Sequence, residues 1–241
     1  MKQTKRMRGN FRTYLQKSLG NPQLVSPESF SLAQLIMEGE ERIKKARESQ
    51  KERAAVWKER AAYWEKILVP QLFAKQFEFI HNYGRIQESD NITSIGSDLG
   101  VLENFIAKEM SPKGRFTCID FVHEMNMKAR QRKEHLQVKN ISFVTAEADK
   151  IPLKSATQEK VICIGTVLPV FPEWDGMLNE ARRIIKNGPN SRLILTVNVS
   201  GEKFIDDALS SIRRHGFVIE KSEIFSVPMA FANIMIVARP K

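Results

Sequence analysis

The chain has 241 residues, 42% hydrophobic and 27% charged, a balance that supports a globular core rather than a disordered polymer. No apolar run approaches the roughly 18 residues a membrane-spanning helix needs. The net charge of +10 is uneven: residues 1–20 hold six basic residues (Lys2, Lys5, Arg6, Arg8, Arg12, Lys17) and no acid, leaving a body of only +4.

In the basic segment, Met7, Phe11, Leu15 and Leu19 fall four apart, as on one face of a helix. Three readings stand side by side: a solvated arm, an arm for RNA or another anionic surface, and an organelle-import presequence. No aromatic ladder or RNA-binding motif accompanies the charge. A turn-rich break at 21–27 leads to Ser26-Pro27-Glu28, a helix start with serine as cap and proline in the first turn. The pattern then reads as helical to about Val69, apolar at Leu32, Leu35, Ile36 and Ile43 and highly charged from Arg42 to Arg60. Gly39 is a candidate interruption. Trp57, Tyr63 and Trp64 read chiefly as packing residues, with closure over a ligand as the rival. The expected division is a basic tail over 1–25, a helical extension over 26–70 and an α/β domain over 71–241.

Leu72, Phe73, Phe77 and Ile80 make one more helical face, and then strands and helices alternate. Strands are predicted at Asn91–Ile95, Phe116–Asp120, Ile141–Thr145, Val161–Gly165 and Arg192–Asn198. Helices are predicted at Val101–Met110, His123–Leu136, Glu173–Ile185 and Lys203–His215. That alternation calls for a doubly wound, mostly parallel sheet with helices on both faces. Phe217–Phe225 and Ala232–Arg239 have no helix between them, so they require an antiparallel C-terminal hairpin completing seven strands. Cys118 and Cys163 sit inside strand-like runs and read as buried, reduced thiols, which points to a cytoplasmic compartment. His81, His123, His135 and His215 are scattered, with no spacing for a metal site.

The first strand breaks at Gly96 into Ser97-Asp98-Leu99-Gly100 and then a helix, the local plan of a nucleotide site in an open α/β sheet. Asp98 would repel a pyrophosphate at this loop, whereas the ammonium of an amino-acid-bearing nucleoside would be accepted there. The plain alternative for Asp98 is an exposed N-cap. Asp120 ends the second strand, 24 positions after Gly96, where adenosine-binding sheets place an acid for the ribose hydroxyls.

Five alternating strands, a last helix and a closing hairpin resemble the class I S-adenosylmethionine-dependent methyltransferases, especially the ubiquinone/menaquinone-biosynthesis branch. The resemblance covers about Val56–Lys241. It implies a glycine loop at Ser94-Ile-Gly96-Ser97-Asp98-Leu-Gly100, with Ser94 where the family has an acid and Asp98 where it has its middle glycine. It further implies Asp120 on the ribose with Phe121 beside it. In Phe143-Val-Thr-Ala-Glu147-Ala148-Asp149-Lys-Ile-Pro-Leu153, it implies Glu147 and the Ala148 N–H on adenine. Gly165 and Thr166, at the exit of strand four, would lie under the sulfonium. Glu180 to Gly188 matches the helix and turn before the fifth strand. No Asn-Pro-Pro-aromatic string follows strand four, which argues against amino-directed nucleic-acid methylases.

The expected cofactor is therefore S-adenosyl-L-methionine and the expected acceptor a small molecule. No general base stands out: His123 is too near the ribose and His81 reads as structural. The second reading is a non-catalytic methyltransferase-like scaffold docking on RNA or a partner through residues 1–20. A nicotinamide oxidoreductase is a distant third.

Overall fold

The computed structural model describes residues 7, 10, 11, 13–15, 50–61, 70–164, 173–198, 202–225 and 233–241. Its helices are α1 (Gln50–Ala61), α2 (Pro70–Tyr83), α3 (Val101–Phe105), α4 (His123–His135), α5 (Glu173–Ile184) and α6 (Glu202–Arg214). Its strands are β1 (Ile92–Ile95), β2 (Phe116–Asp120), β3 (Ile141–Thr145), β4 (Lys160–Ile164), β5 (Arg192–Asn198), β6 (Phe217–Phe225) and β7 (Asn233–Pro240). The elements match the sequence-based reading to within a residue or two, except that the helix expected over Val101–Met110 is α-helical only to Phe105 and π-helical from Ile106 to Met110. The expected helix from Ser26 onward is described only over α1; Leu19, Tyr63 and Trp64 lie outside the described residues.

The seven strands form one sheet in the order β3-β2-β1-β4-β5-β7-β6. β1 to β5 run parallel, and β7 inserts antiparallel between β5 and β6. The order reverses between β1 and β4, the switch point beside which such sheets bind ligands at their carboxyl ends.

Period-two alternation sends strand side chains into two apolar layers. Ile92, Phe116, Cys118, Ile162, Ile194 and Val237 join Phe77, Phe105 and Met125 on one face. Ile95, Ile119, Val161, Cys163, Leu195 and Ile236 join Trp174, Leu178 and Ile212 on the other. Both cysteines are buried free thiols.

Phe11, Tyr14 and Leu15 belong to the first of these layers. The Phe11 ring stacks on Phe77 at 4.3 Å and meets Phe105 edge-on at 4.7 Å. Tyr14 Oη donates to the Val101 carbonyl at 2.6 Å. These side chains are core, which corrects the solvated-arm reading for them; their four-residue spacing is the docking face. Trp57 also packs against this layer, and Lys58 pairs with Glu124 of α4 at 2.9 Å.

The amino ends of the parallel strands carry a second kind of order. Lys160 Nζ lies 2.8 Å from Asp90 Oδ2, both side chains almost fully buried, and also donates to the Asn190 carbonyl. Beside them Arg192 pairs with Glu220 at 2.5 Å, and Lys186 pairs with Glu159. Polar groups as deep as Lys160 and Arg192 must be partnered, and each of these two cations meets an acid. The opposite, carboxyl ends of the strands are where the glycine loop and Asp120 lie.

Candidate functional site

β1 is buried along its whole length, with its Thr93 hydroxyl donating to Gln158, and Gly96 ends it by turning left-handed, at φ 69°. Asp98 and Gly100 are also left-handed, at 51° and 65°. At Gly100 the absence of a side chain is compulsory: a Cβ would sit 2.9 Å from the Phe143 ring. Asp98 is not the N-cap of the next helix; Gly100 holds that position, without a side-chain cap. The loop is tied to β2, since Gly96 N donates to the Ile119 carbonyl at 2.6 Å and Ser97 N does so at 3.2 Å. From α4, Arg132 Nη1 holds the Leu99 carbonyl at 2.8 Å.

Asp120 is the hinge of the site. Its Oδ2 accepts the Asp98 backbone N–H and its Oδ1 the Val122 N–H, both at 2.9 Å. Burial pushes this carboxyl up to about 6, the two N–H donors oppose that rise, and Glu147 adds to it. Asn126 fastens the strand end by donating to the Asp120 carbonyl and to Thr145 Oγ1. Phe121 is half-buried against the α2–α4 layer, and Glu147 and Ala148 are half-buried in the loop after β3. The structure thus joins the glycine loop, Asp120 and Glu147 at one end of the sheet. Gly165 and Thr166 lie outside the described residues.

The loop after β3 is held from α5. Glu180 accepts the Ile151 N–H at 2.7 Å, and Arg183 donates to the carbonyls of Ile151 and Leu153 while pairing with Glu180. At Gly176 the helix comes so close that a Cβ would stand 2.6 Å from Asp149 Cβ. These three residues set the position of Glu147 and Ala148 without belonging to any expected site.

Sequence reasoning also missed Glu103. This residue lies in the first turn of α3 and is 5% exposed. Ser94 Oγ donates to its Oε1 at 2.9 Å. Burial pushes Glu103 from the ordinary 4.5 up to about 7; Ser94 and Arg132 oppose the rise and Asp120 adds to it. A single glutamate inside the apolar run Val101-Leu-Glu-Asn-Phe-Ile106 was the available signal.

α3 widens at Ile106–Met110 into a π-helical turn, closed by Ser111 N donating to the Ile106 carbonyl at 2.9 Å. Asn140 Nδ2 lies within bonding distance of the Ala107, Ser111 and Gly114 carbonyls that this ending leaves. His123 is exposed at the start of α4, and His81 stands beside Phe77, bonded to the Asn82 side chain at 3.5 Å. Neither has the surroundings of a general base. Among the described residues no group of His, Cys, Asp and Glu is placed to hold a metal ion, and no helix is long and apolar enough to cross a membrane.

The donor set fits S-adenosylmethionine better than a phosphate-bearing nucleotide. Asp98, Glu103, Asp120 and Glu147 make the loop end acidic, which suits a sulfonium and an ammonium and opposes a pyrophosphate. The glycine-formed loop allows close approach of a ligand to backbone.

Comparison with known proteins agrees with this geometry. Residues 92–188 match the family described as a methyltransferase domain. The demethylmenaquinone methyltransferase of Listeria welshimeri is 25% identical over 126 residues, 52% of this chain and 53% of that protein. The match thus spans about half the length of this curated relative. Magnesium protoporphyrin IX methyltransferase from Synechocystis, solved with bound S-adenosylmethionine, superposes with a TM-score of 0.55 at 21% identity, over 70% of this chain and 78% of its own. The [4+2]-cyclase SpnF superposes with a TM-score of 0.62 at 14% identity, over 69% and 80%.

Proposed function

With a methyltransferase domain over residues 92–188 on the class I methyltransferase fold, the chain is one for which we propose methyl transfer from S-adenosylmethionine to a small-molecule acceptor. The observation that carries this reading is the Asp98–Asp120 bond. It places the glycine loop and an acid at the carboxyl ends of adjacent strands, where an adenosine-bearing ligand spans both. A small-molecule acceptor is supported by the relatives named above, which are a demethylmenaquinone methyltransferase and a magnesium protoporphyrin IX methyltransferase.

The cofactor, when bound, supplies a methyl group on an electrophilic sulfonium. This chain's residues then have a binding and aligning task. Asp120 takes the ribose hydroxyls while its backbone bonds hold it still. Phe121 lies beside the ribose and adenine. Glu147 accepts from the adenine amino group and the Ala148 N–H donates to a ring nitrogen, in a loop fixed by Glu180 and Arg183. Gly96, Ser97, Asp98 and Gly100 cradle the amino-acid end. Gly165 and Thr166 take the sulfonium side, as the resemblance at the exit of strand four implies. No residue of the chain is assigned as a general base; an acceptor that is already nucleophilic needs none.

One observation favours a second reading, a methyltransferase-like protein that transfers no methyl group. Ser94 and Asp98 stand where the family has an acid and a glycine, and a protein named as a cyclase shares the fold. Calorimetric titration with S-adenosylmethionine and S-adenosylhomocysteine tests the first reading. Saturable binding of both, lost in Asp120→Ala, is the expected result; no binding up to about millimolar ligand overturns it. Binding without turnover against any quinone, porphyrin or isoprenoid acceptor would favour the second.

A further inference from the structure

We propose that Glu103, acting through Ser94, replaces the acid missing from the end of β1 and holds the ammonium end of S-adenosylmethionine against the Gly96–Gly100 loop. The inference rests on the cofactor reading above and concerns one residue within it. Glu103 is a positioning residue in this role, because Ser94 stands between it and the loop.

The geometry begins with a substitution and its repair. The strand end offers a serine, and Ser94 Oγ reaches back to Glu103 Oε1 at 2.9 Å. Nine residues separate the two in sequence, and the turn at Gly96–Gly100 returns the chain so that the first turn of α3 lies beside β1. An acid is therefore present beside this strand end, delivered from the helix instead of the strand.

Val101, Leu102, Phe105 and Ile106 around it are all core residues, so apart from the Ser94 hydroxyl that it accepts, the packing gives no reason for a carboxylate here. Among the described residues, the groups acting on Glu103 from other elements are Ser94 of β1, Cys118 and Asp120 of β2, and Arg132 of α4. Burial pushes the Cys118 thiol well above its ordinary value, so it stays neutral. Asp120 repels Glu103, and Arg132 spends one guanidinium nitrogen on the Leu99 carbonyl. Among the described residues, Glu103, Asp98 and Asp120 bring three acids to this end of the loop, surroundings that suit the ammonium of an adenosine ligand with a free amino acid.

Proton linkage follows. Without a cation, burial keeps Glu103 partly protonated near neutrality. A bound ammonium favours the carboxylate, so binding releases a proton and affinity rises with pH up to about 7 and levels off above it. Asp120, titrating near 6, adds a lower step to the same profile.

The test uses the full chain and two ligands that differ only in the amino-acid end, S-adenosylhomocysteine and 5′-methylthioadenosine, titrated between about pH 5.5 and 7.5. Glu103→Gln is expected to weaken S-adenosylhomocysteine about tenfold at the upper pH, to leave methylthioadenosine within about twofold, and to remove the upper step of the pH profile. Moving the acid back, in Ser94→Asp combined with Glu103→Gln, is expected to restore most of the loss, which a merely structural role would not do. Ser94→Ala carries the same ligand-selective prediction if Glu103→Gln fails to fold. Equal losses for both ligands, or no loss for either, overturn the role of Glu103 while the unaltered protein's binding keeps the cofactor reading. No binding of either ligand by the unaltered protein overturns both.

Discussion

The backbone N–H of Asp98 is bound by the side chain of Asp120, so the glycine loop after β1 is positioned by the residue that ends β2. Asp120→Ala leaves the buried Val122 N–H and the half-buried Asp98 N–H without their acceptor, at a cost of about 1–3 kcal/mol. Asp120→Asn turns an NH2 group toward one of those two donors and saves only the other bond. Both variants are expected to lose stability in urea unfolding and to weaken S-adenosylhomocysteine by tenfold or more, on the order of 1.4 kcal/mol. Full affinity in Asp120→Asn would refute this dual role.

Glu103 sets a pH dependence of stability whose sign follows from its raised carboxyl. The folded chain holds the proton up to about 7 and the unfolded chain releases it near 4.5. The folded state therefore binds more protons between those values. The contribution of Glu103 to stability is therefore highest below about 4.5, falls as pH rises toward 7, and is flat beyond. Glu103→Gln removes that fall, so the ligand-free variant is expected to gain about 1–3 kcal/mol over the unaltered protein at pH 8 relative to pH 4.5. Thermal melts at the two pH values decide it; a difference independent of pH would refute the burial argument. This variant thus stabilises the empty protein while weakening ligand.

Gly176→Ala puts a methyl group where Asp149 Cβ already lies 2.6 Å away. The loop carrying Glu147 and Ala148 must then move, at about 1–3 kcal/mol of overpacking. The expected result is weaker binding of adenosine-containing ligands, including methylthioadenosine, and a lowered melting temperature. Unchanged affinity would mean that this loop does not touch adenine.

Lys160→Met leaves the Asp90 carboxylate buried without its cation and is expected to cost about 3–5 kcal/mol. Adding Asp90→Asn should recover a large part, as urea unfolding of the double variant would show. Ligand affinity should not change, since this pair lies at the amino ends of the strands.

The sheet was legible because its strands are apolar runs punctuated by glycine and helix-period segments, as at Val161–Ile164 and Leu193–Val197. Asp120 was legible because it is an acid at the end of such a run. Glu103 was not, because a glutamate in a helix's first turn looks like an ordinary dipole partner until the fold brings Ser94 beside it. Glu180 and Arg183 were hidden for the same reason: three apart on a helix they read as a surface pair, and only tertiary contact turns them onto Ile151 and Leu153. The spacing of Phe11 and Leu15 showed an apolar face without its destination, the core layer that holds Phe77 and Phe105.

That destination bears on the order in which the molecule assembles. Tyr14 reaches Val101 across 87 residues, so a nascent chain has its docking face ready long before α3 exists to receive it. Closing so long a loop comes late, after the local α/β units have formed. Phe11→Ala, which removes a ring packed at 4.3 Å and 4.7 Å from two others, should cost about 3 kcal/mol. It should do so by quickening unfolding with little change in the folding rate, as a chevron plot would show. Slower folding with unchanged unfolding would instead make this face part of the nucleus. The last fastening on the turn into α3 is then supplied by residues made long before it, and the same fastening is the first to let go.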